Sequence, residues 1–377
     1  MRIAIDIRNI GKGRTGDEVV FFELVKNLAL IDDKNNYRLL IDNRKDEEIH
    51  KIIRQLKIKN KDNFEIVQLG NGNKFIWNVW SVPKYCRRRK IDIYHTQYII
   101  PFFMPKYTKI FTHIHDVSFR VHPEFISRVD AFFLNTLIPR AIKKSDKVIA
   151  VSQFTKDEII KYYKVNPENV VVIYNAVSEE YKNAKINSGV QKKYNLPDKY
   201  ILALGTMQPR KNIPFLIAVF AQISKKNNDL YLVLVGKQAH NFDDKITKVI
   251  NQYPKIKNKV LFTGYVDEKD KLTIFKGAEI FVFPSIYEGF GVPILEAFEA
   301  GVPVVASDIA VHREVGGEGA MYCDDNNIDQ CKKVLYDTLV NVKIREYVLN
   351  ESQKQKIKFS WFESAKKLQK LYQENLI

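Results

Sequence analysis

A chain of 377 residues with 45% hydrophobic and 28% charged side chains is long enough for two cores and has the balance of an ordinary soluble globular protein. No stretch reaches the ~20 consecutive apolar residues of a membrane-spanning helix, and three cysteines without paired metal spacing (Cys86, Cys323 and Cys331) argue against a disulfide framework and for a reducing cytoplasm. The net charge of +16 favours polyanionic partners such as nucleic acid, anionic lipid head groups or diphosphates, unless it only reflects a lysine-rich surface.

Short apolar runs alternate with helical patterns along the chain, the signature of parallel α/β architecture. Strands are expected at 2–7, 37–42, 64–69, 91–95, 109–114, 147–151 and 170–174. The opening run is too short and too charged for a signal-peptide core. Val20, Leu24 and Leu28 recur at four-residue spacing beside Phe21 and Val25, giving one apolar helix face. The pattern lapses over the polar stretch 175–197, where Asn187-Ser188-Gly189 and Leu196-Pro197-Asp198 predict a linker. Strands resume at 200–205, 230–236, 260–264, 279–283 and 302–307. Two such series in tandem predict two doubly wound domains, 1–180 and 190–357. Ligands of such sheets sit at the carboxyl ends of the strands, so two facing sheets would leave a cleft. The final stretch from Ser360 reads as a helix with Phe362, Ala365, Leu368 and Leu371 apolar, able to pack on either domain.

The most informative segment, 284–297, contains Glu288-Gly289-Phe290-Gly291-Val292-Pro293-Ile294-Leu295-Glu296 directly after a strand. Gly289 and Gly291 allow a tight turn and close backbone approach. Pro293 suits the first helical residue, and Gly301 suits the helix end. Free amides near Phe290, Gly291 and Val292 would then form an anion site at a helix N-terminus. Glu288 on the loop and Glu296 about one turn inside could hold hydroxyl pairs on either side of a bound phosphate. Taken singly, either glutamate could merely complement the helix dipole.

A second signal is Gly205-Thr206-Met207-Gln208-Pro209-Arg210-Lys211-Asn212. Gly205 permits a sharp strand exit. Two cations at a helix start oppose the dipole and make sense with an anion between them, a diphosphate leaving group being the natural candidate; the alternative is a solvated basic turn. A third is Thr112-His113-Ile114-His115-Asp116, where His115 ends a strand and Asp116 could steer it or bind acceptor hydroxyls. The two histidines lack a third metal ligand at sensible spacing. Gly11-Lys12-Gly13-Arg14-Thr15-Gly16 spells G-x-G-x-x-G, which makes an NAD(P)-dependent oxidoreductase the rival reading. Its glycines begin too far from the strand, however, and Asp42 lies too far on to serve as the ribose acid. A basic nucleic-acid-binding protein would rest on Arg87-Arg88-Arg89-Lys90 and the net charge, without any recognised binding motif, so no nucleic-acid partner is expected. The aromatics Phe75, Trp77, Trp80 and Tyr85 before that cluster occur in interfacial helices and also in buried ones.

With these residues in hand, the chain resembles glycosyltransferase family 4, retaining enzymes with the type-B fold of two Rossmann-like domains facing across a cleft. The resemblance runs nearly end to end, in order, through the first strand and glycine loop, His115-Asp116, Val148-Ile149-Ala150-Val151-Ser152, Asn175, 205–212, Gly264-Tyr265-Val266 and 288–296. It implies that Glu288 engages the donor sugar, Glu296 the ribose, and Arg210 with Lys211 the diphosphate. It further implies that the backbone at Phe290, Gly291 and Val292 holds sugar and phosphate, that of Val266 the base, and that His115 lies near the donor sugar. Gly205 and Gly16 would border the nucleotide, Asp116 the acceptor side, and the helix 360–377 would return to the N-terminal domain. One departure stands out: Asp17 and Glu18 follow Gly16 where they would repel a diphosphate.

The expected activity is transfer of a hexose with retention from a nucleotide sugar, a GDP- or UDP-hexose, to a saccharide or lipid-linked acceptor. Front-face attack needs no protein nucleophile, and none is evident. No Asp-x-Asp occurs, so neither a metal nor another cofactor is implied. An anionic membrane surface is a further expected partner, with a cytoplasmic or peripheral location.

Overall fold

The computed structural model describes residues 1–13, 16–70, 73–237 and 242–375. Two compact units divide the chain: one holds Met1–Val121, Arg128–Asn175 and the C-terminal stretch from Ser360, the other His122–Ser127 and Ala176–Phe359.

The first unit is built on seven parallel strands, β1 (Arg2–Asp6), β2 (Asn36–Ile41), β3 (Phe64–Gln68), β4 (Ile93–Gln97), β5 (Lys109–Ile114), β6 (Lys147–Ala150) and β7 (Val170–Val172), in the order β3-β2-β1-β4-β5-β6-β7. The central strands read as continuous apolar runs because helices cover both faces of a parallel sheet. Helix α1 (Asp17–Ile31) buries Val20, Phe21, Leu24, Val25 and Leu28, the face expected from periodicity. Helices α2 (Val82–Arg89) and α3 (Arg128–Lys144) follow in the same unit. The C-terminal helix (Trp361–Glu374) also belongs to this unit and packs on α1. It buries Trp361, Ala365, Leu368, Leu371 and Tyr372 but leaves Phe362 41% exposed, so the buried face is rotated from the expected one. Ser364 Oγ donates to the Tyr174 carbonyl at 2.6 Å, and the Tyr372 hydroxyl meets His95 Nδ1 at 2.6 Å.

The second unit has six parallel strands, β8 (Tyr200–Leu204), β9 (Tyr231–Val235), β10 (Val260–Gly264), β11 (Ile280–Phe283), β12 (Val304–Ser307) and β13 (Ala320–Cys323), in the order β10-β9-β8-β11-β12-β13. Helices α4 (Ile213–Ile223), α5 (Glu268–Lys276), α6 (Val292–Ala300) and α7 (Ala310–Gly316) lie between strands, and α8 (Ile328–Val340) follows β13. Strand β13 has no counterpart among the expected strands. Its four residues, Ala-Met-Tyr-Cys, lie between glycines and acids and are too few to set up a period. Cys323 at its end meets Cys331 of α8 in a disulfide with Cα atoms 4.9 Å apart, where the odd cysteine count argued against a disulfide framework. The odd count left one spare, Cys86, which is buried in the first unit.

Of residues 175–197, expected as a polar linker, all from Ala176 on belong to the second unit. Tyr181 and Val190 are buried, and Lys193 bonds both Asp267 and Asp270 at 2.6 Å. The polar residues of that stretch cap and pair; they do not run free.

Candidate active site

In each sheet the winding reverses once, between β1 and β4 and between β8 and β11. Loops leaving the strands on either side of such a point diverge, and ligands bind in the crevice they leave. In the second unit these loops are 205–212 and 284–291, the two segments richest in motif residues.

Gly205 leaves β8 at φ +149°, and a Cβ there would stand 3.0 Å from Lys211 Cε, so its missing side chain gives the lysine stem its path. Gly236, leaving the neighbouring β9 at φ +147°, is held more tightly still: a Cβ would fall 1.8 Å from the Gly205 carbonyl oxygen. Pro209–Lys211 form one 3-10 turn, and the Ile286 amide donates to the Arg210 carbonyl at 2.9 Å, joining the two loops. Their side chains then converge. Lys211 Nζ donates to Glu288 Oε1 at 2.5 Å while Arg210 Nη1 lies 2.7 Å from Oε2. Burial pushes the Glu288 carboxyl up, but the two cations outweigh it and hold the group well below the usual carboxylate range. The anion between Arg210 and Lys211 in this structure is therefore the protein's own glutamate. The Lys211 ammonium also sits 4.8 Å from the ring centre of Phe283, the last residue of β11.

Gly291, at φ +112°, caps α6, whose first residue is Val292 and second Pro293; Gly301 closes the helix at φ +71°. The helix thus starts one residue before Pro293, which has no N–H, and the Ile294 amide already donates to the Gly291 carbonyl at 3.0 Å. Phe290 and Val292 flank the capping glycine at this terminus. Glu296 falls in the second turn and is buried. Its Oε1 accepts from Lys271 of α5 at 2.6 Å, whereas Oε2 is buried with no partner. Burial pushes its carboxyl up; Lys271 pulls it down and Glu268 adds repulsion, leaving it raised. The Tyr181 hydroxyl donates to the Glu296 backbone carbonyl at 2.9 Å, fixing this part of α6. Val266 is buried in the turn between β10 and α5.

Sequence reasoning missed Lys271 and His312. Neither sits in a motif, and a lone lysine or histidine carries no spacing signal. His312 of α7 is fully buried, its ring centre 4.8 Å from that of Phe283.

His115 and Asp116 lie in the first unit, just past β5. His115 Nε2 meets Gln97 Oε1 at 3.2 Å and Asp17 Oδ1 at 3.9 Å, and its ring stacks on His113 at 5.0 Å. Asp116 Oδ1 accepts from the Ser118 amide at 2.9 Å and hydroxyl at 2.7 Å, so one of its oxygens starts the next helical turn. Gly16 is the N-cap of α1 at φ +82°. Asp17 and Glu18 occupy the first turn of that helix, where acids complement the dipole, and Glu18 accepts from the Gly11 amide at 2.7 Å. Arg14 and Thr15 of the glycine loop lie outside the described residues. Asp42, the acid a dinucleotide site would need, is tied to Lys12 at 2.5 Å and Arg44 at 3.0 Å. Among the described residues, no group of three or more His, Cys, Asp or Glu could hold a metal ion.

Comparison with known proteins agrees with this geometry. The profile described as "Glycosyltransferase Family 4" matches residues 16–181, and the one described as "Glycosyl transferases group 1" matches residues 187–355. O-antigen chain mannosyltransferase B of Escherichia coli is 29% identical over 75% of this chain and 73% of its own length. O-antigen chain mannosyltransferase RfbU of Salmonella typhimurium is 31% identical over 57% and 56%. Serotype-specific mannosyltransferase WbdA of Escherichia coli is 30% identical over 62% of this chain, a match that spans only 29% of that relative's length. Two solved structures share the fold: sucrose-phosphate synthase from Thermosynechococcus elongatus (TM-score 0.74, 16% identity, covering 99% of this chain and 98% of that one) and Anabaena HepE in complex with UDP-glucose (TM-score 0.72, 15% identity, covering 99% and 100%). Matched in order along both units, the chain belongs to the family 4 glycosyltransferases.

Proposed function

We propose that this glycosyltransferase moves a hexose, with retention, from a GDP- or UDP-hexose to a saccharide or lipid-linked acceptor. The observation that carries this reading is the Arg210–Glu288–Lys211 cluster beside the N-terminus of α6 at the switch point of the second sheet. A donor entering there would bring hydroxyls for Glu288 and a diphosphate for the two cations and the backbone at Phe290, Gly291 and Val292, so the negative charge that grows on the leaving group would meet preorganised positive charge. The unpartnered Oε2 of Glu296 would accept from a ribose hydroxyl. His115 and Asp116 would serve the sugar and the acceptor. Relatives named as mannosyltransferases support mannose as the hexose, and the HepE complex supports a nucleoside-diphosphate donor. A panel of nucleotide sugars tested by calorimetry and turnover in excess EDTA, with proton NMR of the product linkage, decides the matter. Binding of NAD(H) alone, an inverted linkage, or activity that returns only with added magnesium or manganese would each contradict it.

A second partner, an anionic membrane surface, is favoured by one face of the first unit. Segments 73–91, 98–108 and 131–145 together carry ten Lys and Arg and no Asp or Glu. They meet in space. The Phe102 amide donates to the Asn78 carbonyl at 2.9 Å, and Arg140 donates to the carbonyls of Ile100 and Pro101 with its guanidinium 4.3 Å from the Phe102 ring centre. Phe75, Trp80, Phe103, Phe132 and Phe133 are exposed there by 56% or more, and Trp77 is buried. Exposed aromatics among unopposed cations suit a lipid head-group layer. No helix of the described residues is long and apolar enough to cross a membrane.

A further inference from the structure

Among the described residues of the second unit, Ser285 Oγ, Glu296 Oε2, Ser307 Oγ and His312 Nε2 are buried without a hydrogen-bond partner and lie close together in sequence. A buried polar group left unpaired costs about 1–3 kcal/mol, so native proteins rarely keep one without a use. Among the four, only His312 has its donor and acceptor roles settled by its surroundings. Its Nδ1 stands 3.1 Å from the Ser307 carbonyl oxygen. A carbonyl can only accept, so Nδ1 carries the hydrogen and Nε2 presents a lone pair.

That lone pair is aimed from a rigid mount. The ring packs against Phe283, the strand residue whose ring also faces the Lys211 ammonium. A Cβ placed on Gly291 would lie 3.6 Å from Phe283 Cε1 and 3.8 Å from His312 Cδ2, the ring carbon bonded to Nε2. Gly291 is the N-cap of α6, and Glu288 lies three residues before it. Burial draws the imidazole down to about 4, with Glu288 raising it and Lys211 lowering it, so the ring is neutral at physiological pH.

We propose that His312 recognises the donor sugar, its Nε2 accepting a hydrogen bond from a hexose hydroxyl held between Glu288 and Gly291. The assignment rests on the hexosyltransferase reading above. It gives the site an acceptor that tests the orientation of one hydroxyl, because a donor lacking that hydroxyl, or carrying it on the other face, leaves Nε2 buried and unpaired.

Two substitutions separate recognition from packing. His312→Asn keeps a donor for the Ser307 carbonyl and removes the acceptor at the Nε2 position; His312→Gln places an amide oxygen near that position. GDP-mannose with GDP-glucose, and UDP-glucose with UDP-galactose, serve as epimer pairs, beside GDP and UDP alone. The expected result for His312→Asn is binding of the nucleoside diphosphate within about twofold of wild type, a loss of about ten- to hundredfold in kcat/KM for the preferred donor, and a shrunken epimer preference. His312→Gln should recover part of both. Equal loss of nucleoside-diphosphate binding in both variants would make the residue structural, and an unchanged epimer preference with unchanged kcat/KM would remove it from the site. A wild type that binds none of the four donors would overturn the parent reading, and this one with it.

Discussion

The Glu296 carboxylate gives one oxygen to Lys271 at 2.6 Å and keeps the other buried without a partner, whereas Glu288 has both oxygens engaged by cations. The two glutamates of the motif are thus engaged in opposite ways. Glu296→Gln should weaken both the free nucleoside diphosphate and the intact donor by about ten- to hundredfold, the worth of a charge-assisted hydrogen bond. Glu288→Gln should bind the diphosphate at least as well as wild type, since two cations are released, and lose turnover instead. Calorimetry with the diphosphate and steady-state kinetics with the donor read the two effects. Equal loss of diphosphate binding in both variants would show that the roles are not divided in this way.

Gly236 offers a sharper structural test. An alanine there must displace the Gly205 carbonyl, 1.8 Å from the new Cβ, while holding φ +147°. Gly236→Ala should cost about 3 kcal/mol or more and disturb the exit of β8 on which Lys211 depends. Denaturant unfolding and donor titration measure the two parts. A variant of wild-type stability would mean the loops yield more easily than their packing implies.

Acid should destabilise the protein through three buried histidines. Burial lowers His95 to about 3, His113 well below its ordinary value and His312 to about 4; the neighbouring His115 adds to the first two shifts. Unfolded, each titrates near ~6.5. Above that pH both states leave them neutral. Below it the unfolded chain takes up protons that the folded chain refuses, so each removes up to about 1.4 kcal/mol per pH unit until its folded value is reached. The melting temperature should fall steadily from pH 6.5 to 4.5, less steeply in His113→Leu. A flat profile over that window would contradict the buried neutral state.

The basic aromatic face of the first unit should bind vesicles of anionic phospholipid and release them as salt rises. Neutralising Arg87, Arg88, Arg89 and Lys90 should weaken co-sedimentation, and Trp80→Ser with Phe103→Ser should weaken what persists in high salt. Binding unaffected by both sets would reject this face as the contact.

Most of the fold could be read from the chain. Apolar runs between glycine and proline signals located every strand except β13, and the four-residue spacing of Val20, Leu24 and Leu28 gave the buried face of α1. Period alone could not give strand order, which depends on contacts between distant residues. It also read 175–197 as a linker, where Ser178 caps a helix and Lys193 pairs with Asp267 and Asp270. In the site, Arg210, Lys211, Glu288 and Glu296 stood out because glycines and proline marked their turns. Their mutual pairing did not, since Lys211 and Glu288 are 77 residues apart. Lys271 and His312 matter only through where α5 and α7 place them.

An unoccupied phosphate pocket of two bare cations would be a sink for any passing anion. Here Glu288 closes that sink. Inorganic phosphate or sulfate, bringing charge alone, must evict a carboxylate already bonded on both oxygens. A nucleotide sugar bound as proposed would evict the same carboxylate but give it hydroxyls in exchange. At the proposed donor site this pairing would favour ligands that carry sugar and phosphate together, and once the sugar had gone to the acceptor, the returning glutamate would help push the spent diphosphate out.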